Sequence, residues 1–331
     1  MQALSALPRG EEAHYVLQRY VARSLPVPDS AFLRKARRAA RHLGRFEQHG
    51  PRRDLADVVH YEFGAGWDLI GPLTLWTLGI ERQILVDIRP NGRRELVADT
   101  VARLEERHDE LERELGRPLR RPGGRVRSLA DLEPRFGIRY LAPRDARSTG
   151  LPDACVDFVS STNTLEHVPA DDLRPLLREC RRLLRPDGVM SSRIDLHDHF
   201  ADRDPAISPY NFLRYRERTW RMFNSALLHQ NRLRRPDYLE AFATAGLTVV
   251  AEEAATPTEA DLAALAEVRP AAEFRGYAFE DLGVKGLFLV AQPAAARSPD
   301  ALEELEDLGR RSGTGVGPRA VPHGGRLGDQ R

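Results

Sequence analysis

The residues of this chain best equipped for chemistry fall in one short run, Arg193-Ile-Asp195-Leu-His197-Asp198-His199-Phe200. An acid and two imidazoles at every second position share one face if the backbone is extended, because side chains alternate along a strand. Histidine, with an unperturbed pKa of about 6.5, is neutral and basic near pH 7, which suits removal of a proton from a nucleophile. His199 is the expected general base, with Asp195 orienting or charging it. His167, in Ser161-Thr-Asn163-Thr-Leu-Glu166-His167-Val168, is the competing base. One carboxylate with two imidazoles could also hold a divalent ion, but such spacing occurs without metal, and no metal is assigned. Glu166, three residues after Asn163, has the spacing of a helix cap.

These groups need a framework to bring them to a bound molecule, and His60-Tyr-Glu62-Phe-Gly64-Ala-Gly66-Trp-Asp68 supplies it. It reads as a strand and glycine turn, followed by an apolar helix and a second strand ending at Asp87-Ile88. A doubly wound sheet forms a nucleotide-sized pocket with these parts, at the carboxyl ends of its strands. A dinucleotide would need a third glycine at the place held by Leu69. Glu62 would also repel phosphates. The expected ligand is therefore phosphate-free and carries a cation near the turn; S-adenosylmethionine, with its α-ammonium group, meets both conditions.

Glu62-Phe-Gly64-Ala-Gly66 resembles the first motif of class I S-adenosylmethionine-dependent methyltransferases, and Asp87 with Ile88 resembles the acid-ended second strand that receives the ribose. Further stations follow in order. Asp145-Ala146 resembles the acid that accepts the adenine amino group. Pro152 to Phe158 resembles the turn and acid leading into the fourth strand, and Ser161 to Val168, with Asn163, resembles the segment that forms the floor beside the reactive methyl in that family. Leu183-Leu-Arg-Pro-Asp187-Gly188-Val189 resembles the approach to the fifth strand, with Asp187 where glycine is usual. The resemblance covers about residues 55–200 and 236–292. It implies an α/β, Rossmann-like doubly wound sheet of seven mostly parallel strands, the last antiparallel, with Glu62, Gly64, Gly66, Asp87, Ile88, Asp145, Ala146 and Asn163 around S-adenosylmethionine. Trp67-Asp68 departs from the family pattern; Trp67 could pack on the cofactor or on the N-terminal segment.

Composition fits a soluble enzyme. The chain has 331 residues, 41% of them hydrophobic, and 50 basic residues against 49 acidic ones. This balance argues against a nucleic-acid binder, whose footprint is a basic excess or face. The run Arg34-Lys35-Ala-Arg37-Arg38 reads as a solvated helix face. No stretch approaches the roughly 20 apolar residues of a membrane span and no secretion signal is evident, so a cytoplasmic location without membrane partners is expected. Cys155 and Cys180 read as reduced packing residues.

The organisation expected along the chain is a helical cap over 1–50, the cofactor domain over 51–199 and 236–292, a helical lid inserted at 200–235, and a disordered tail over 293–331. The lid is rich in rings and hydrogen-bonding forks, among them Tyr210, Asn211, Arg214, Asn231 and Arg232. Such a face suits a polar ring such as a sugar. Its Asp-His-Phe, Asn-Phe-Leu-Arg and Asn-Arg-Leu-Arg segments resemble bacterial methyltransferases of polysaccharide and secondary-metabolite pathways. The expectation is methylation of a hydroxyl on a small-molecule or glycan acceptor. Nucleic-acid methylation, or cofactor binding without transfer, is the alternative; the oligomeric state is not legible.

Overall fold

The computed structural model describes residue 12 and residues 15–22, 24–202, 204–224 and 229–295. The expected tail therefore lies, from residue 296, outside the described residues. Those up to Ala294 belong to one compact unit.

Seven strands form one sheet: β1 (Val59–Phe63), β2 (Arg82–Val86), β3 (Ile138–Leu141), β4 (Val156–Thr162), β5 (Leu184–Asp195), β6 (Leu247–Ala254) and β7 (Gly286–Pro293). Their order is β3-β2-β1-β4-β5-β7-β6. All neighbours from β3 to β5 are parallel, and β7 runs antiparallel to both β5 and β6. The expected Rossmann-like doubly wound sheet is thus observed. Its connections leave in opposite directions from β1 and β4, so the crevice opens where those strands end. Phe63, Val86, Thr162 and Asp195 end their strands on that edge.

At the centre of the sheet Val156 to Ser161 of β4 are all buried, Asp157, Ser160 and Ser161 included, as a parallel strand covered on both faces requires. The N-terminal helix α1 (Asp29–His49) packs on one face through Phe32, Ala36, Ala39, Leu43 and Phe46, spaced for one helical stripe. Burying each large side chain contributes about 1.5 to 3 kcal/mol. One polar residue sits in that stripe. His42, 1% exposed, reaches Ser191 Oγ at 2.7 Å and Thr162 Oγ1 at 3.0 Å through its two ring nitrogens. The basic run is not uniformly solvated: Arg37 turns outward to Glu114, while Lys35 and Arg38 line a cavity at the sheet edge. Helical spacing alone does not say which side of a charged run meets a pocket.

The next helix is α2 (Ile70–Thr77). The helical stretch after β2 is broken at Arg107 into α3 (Arg94–Glu106) and α4 (His108–Leu115), because Arg107 leaves helical backbone geometry. The break keeps Leu104 and Leu111 in the same apolar core. After α5 (Leu132–Phe136), α6 (Ala170–Leu183) starts without a side-chain cap from Asp171. β5 begins at Leu184, before the expected Val189; the register shifts between Val156 and Phe158 to admit the Arg185–Gly188 bend.

Most of the lid's described rings turn inward, with Phe200 and Phe223 left part-exposed. With its short helix α7 (Glu217–Trp220), the lid packs Tyr210, Phe212, Leu213 and Trp220 against Leu265, Val268, Phe274 and Leu282. These partners lie in and around α9 (Glu259–Val268) and α10 (Phe279–Gly283), which follow α8 (Arg235–Thr244) and β6 and were not anticipated. A capping box announces α9: Thr258 Oγ1 accepts the amide of Asp261 at 3.2 Å, and the Asp261 carboxylate accepts that of Thr258 at 3.1 Å.

Candidate functional site

The glycine turn lies between two cavities. Gly64 borders both, with φ +72°, and a Cβ there would come within 2.5 Å of Thr164. Gly66, at φ +77°, would direct a Cβ into open space; the turn is a cradle that any side chain would enter. Leu69, where a dinucleotide site has glycine, keeps the left-handed conformation at φ 50° while its side chain is fully buried. Asp68 explains the departure at Trp67-Asp68. Its carboxylate accepts the Ile70 amide at 3.3 Å and pairs with Lys35 of α1 at 2.5 Å. Trp67 packs edge-on against Tyr15, so the pair ties the turn to the N-terminal segment.

One cavity, about 270 Å³, is lined by Glu62, Gly64, Gly66 and Asn163 of the sheet edge, with Lys35 and Arg38 opposite. Burial pushes the Glu62 carboxyl up to about 8; Lys35 opposes this, and Asp68 adds to it. A buried, proton-holding acid at the cavity wall is poised to ionise when a cation arrives. Asn163, at φ 53°, holds the β4 turn by donating its amide to Arg193 O at 2.8 Å and accepting from the Arg193 guanidinium. The other cavity, about 250 Å³, is lined by Asp87, Ile88, Asp145, Ala146 and His167. Asp87 is 6% exposed and accepts from Asn91 Nδ2 at 3.2 Å and the Arg89 amide at 3.3 Å. Ile88 is 63% exposed, an apolar face left open beside it. Asp145 is held by Arg147, whose charge lowers its pKa.

Histidines gather beyond β4 and β5. The His167 and His199 rings are 5.1 Å apart between centroids, and those of His197 and His199 5.2 Å. Asp195 does not orient His199 as expected. Its carboxylate binds His197 Nδ1, whose other nitrogen meets Asp202 at 2.9 Å. That double pairing, first with Asp195, lifts His197 to about 9, making it an imidazolium near neutrality. Burial tends to raise the Asp195 pKa, but His197 outweighs it and the group stays ionised. His199 is the opposite case: burial, then the neighbouring His167, pushes it down to about 4. It is neutral, and among the described residues neither ring nitrogen has a hydrogen-bond partner. His167 is also lowered by burial and donates from Nδ1 to His229 O at 2.7 Å, leaving the Nε2 lone pair free to accept. Glu166 lies inside a short turn, 1% exposed, and among the described residues neither carboxylate oxygen has a hydrogen-bond partner.

Most residues expected to hold the acceptor hold the protein instead. Tyr210 is fully buried and donates its hydroxyl to Gly283 O at 2.8 Å. Arg232 meets Phe212 O at 3.0 Å and Glu217 at 2.8 Å. Asn231 donates to Leu165 O at 2.9 Å and Val168 O at 2.8 Å, fixing the loop that carries Glu166 and His167. Asn211 binds Asp198, and Arg214 stays on the surface beside Asn211. A covered, aromatic-lined core requires its forks to satisfy internal carbonyls, because buried polar groups need partners. Two neighbours went unanticipated. Gln230 donates to His197 O at 2.6 Å and accepts the His199 amide at 3.2 Å. Arg234, 0% exposed, joins Leu196 O, Leu282 O and Val284 O at 2.7, 2.9 and 2.5 Å. Both lie in the Gln230 to Arg234 run, whose mixture of forks and one leucine was the signal available.

Residues 127–191 match the family model described as methyltransferase domain. That match takes in part of the chain, and both it and the strand order agree with the resemblance to class I S-adenosylmethionine-dependent methyltransferases. Similar solved structures include geranyl diphosphate C-methyltransferase from Streptomyces coelicolor, crystallised with S-adenosyl-L-homocysteine and Mg2+, at 16% identity, TM-score 0.45, and 89% and 88% coverage of this chain and that one. The 1,6-didemethyltoxoflavin-N1-methyltransferase of Burkholderia thailandensis is 15% identical, with TM-score 0.43 and coverages of 87% and 91%. The [4+2]-cyclase SpnF is also 15% identical, with TM-score 0.43 and coverages of 79% and 81%. No curated protein matches the sequence. Among the described residues no helix is long and apolar enough to cross a membrane.

Proposed function

We propose that this enzyme transfers the methyl group of S-adenosylmethionine to a hydroxyl of a small-molecule or glycan acceptor, with His199 receiving the acceptor's proton. The observation that carries the reading is the pair of cavities joined at Gly64, one walled by Asp87 and Ile88 and the other by Glu62. Asp87, anchored by Asn91 and the Arg89 amide, keeps acceptor capacity for a pair of ribose hydroxyls. Ile88 offers an apolar face to the adenine ring, and Asp145 with Ala146 closes the far side. The buried Glu62 takes the ammonium end, with Gly66 leaving room beside it. The bound cofactor supplies an electrophilic methyl group; the chain supplies alignment and proton removal.

His199 is favoured over His167 because both its ring nitrogens are uncommitted, whereas one of His167's donates to His229 O. The lid core supports the His199 loop through Gln230, and of the five lid residues expected to hold the acceptor Asn211 and Arg214 are the two that are not buried. The near-neutral charge supports a small acceptor over nucleic acid. Calorimetric titration with S-adenosylmethionine and with NAD, followed by a mass-spectrometric screen of sugar and natural-product acceptors for a gain of one methyl group, tests the proposal. Preference for NAD overturns the cofactor assignment, and a methyl gain only on nucleic acid overturns the acceptor class.

A further inference from the structure

Glu166 is the anomaly that the transfer reaction does not use. A carboxylate buried without a hydrogen-bond partner is unfavourable unless it stays protonated or finds a cation. The surroundings of Glu166 lack a paired base, yet not lone pairs. One ligand atom each from Glu166, His167 and His199 lies within 4.8 Å of the other two.

From this arrangement we propose that Glu166, His167 and His199 form a binding site for a divalent transition-metal ion. Ligand atoms around an ion at about 2.0 to 2.2 Å sit roughly 3 to 3.5 Å apart, so small side-chain rotations close the set. His167 has the form such sites use: Nδ1 donates to the His229 carbonyl, which turns the Nε2 lone pair towards the ion. Asn231 clamps the carbonyls on either side of the Glu166-His167 pair. A carboxylate with two imidazoles favours Zn2+, Fe2+, Co2+ or Mn2+ over Mg2+, which prefers oxygen alone.

A second set of three, Asp195, His197 and His199, is also compact, but carboxylates occupy both nitrogens of His197. The Glu166 set is the one with uncommitted atoms. Metal binding stands on these atoms alone. Its place in catalysis rests on the function proposed above: a bound ion would stabilise an anionic acceptor oxygen in place of the His199 lone pair that it occupies.

The full chain, stripped with chelator, is titrated with Zn2+ by calorimetry and with Co2+ by visible absorption. One saturable ion per chain is expected, with a Co2+ spectrum showing nitrogen ligation. Glu166→Gln and His167→Ala should each weaken binding by 10-fold or more, while His197→Gln keeps it within about 2-fold. Circular dichroism and S-adenosylmethionine affinity report whether each variant folds. Absence of saturable binding to the wild type overturns the proposal, as does loss of binding in His197→Gln with retention in Glu166→Gln. Cofactor binding without metal binding removes this site and leaves the methyltransferase reading intact; metal binding without cofactor binding does the reverse.

Discussion

At the ends of β1 and β2 the working groups are anchored by their immediate neighbours. Asp87 is held by Asn91 and Arg89, and the turn by its own glycines. Beyond β4 and β5 the anchors come from far along the chain: His167 leans on a carbonyl 62 residues away, and Asn231 reaches Leu165 across 66. Local anchoring of Asp87 and the glycine turn lets that end be recognised as a motif. Distant anchoring makes the acceptor end depend on the whole C-terminal half being folded.

The sharpest way to break that contrast is Arg234→Leu. It leaves three buried carbonyls without their donor and should destabilise the fold by about 3 to 5 kcal/mol, read as a lower urea midpoint; a loss under about 1 kcal/mol would show that the acceptor loops are not tied through it. His199→Ala should reduce turnover about 100-fold or more with cofactor affinity retained. If only His167→Ala does so, the proton goes to the β4 loop. Asp87→Ala should weaken S-adenosylmethionine binding by about 1.5 to 3 kcal/mol without moving the melting temperature much, as local anchoring implies. Unchanged affinity would mean that the ribose lies elsewhere.

The smallest effect is a proton. With its folded pKa raised to about 8 by burial, Glu62 stabilises the ligand-free protein least at high pH: its favourable share is complete below the unfolded value and is lost as pH rises through the folded one. A bound ammonium lowers that pKa. S-adenosylmethionine should therefore release up to about one proton at pH 7, seen as buffer-dependent calorimetric heats. Glu62→Gln should abolish the release, and its persistence would assign the proton to another group.

The same contrast explains what could be read in the sequence. Glu62, Gly64, Gly66 and Asp87 stand at the cavities where the sequence predicts them, because strand, turn and acid are neighbours in the chain. His199 and His167 were legible as residue types, but their partners were not: Asp195 serves His197, and nothing near residue 195 reveals Gln230. Tyr210, Asn231 and Arg232 were misassigned for one reason. Their partners lie far along the chain, Gly283 for Tyr210, Leu165 and Val168 for Asn231 and Glu273 for Arg232, and without them a buried fork cannot be told from an open one. Arg38 and Lys35 illustrate the converse, a charged run whose inward half becomes visible only against the sheet.

His42 has a consequence for how the molecule can be divided. It stands on α1, yet its ring bridges Ser191 of β5 and Thr162 of β4, while Lys35 on the same helix holds Asp68. Residue 50 marks a change of composition rather than an edge at which the chain can be cut. A truncation beginning after it would expose two sheet hydroxyls and one wall of the cofactor cavity at once, so the smallest autonomous enzyme must retain α1.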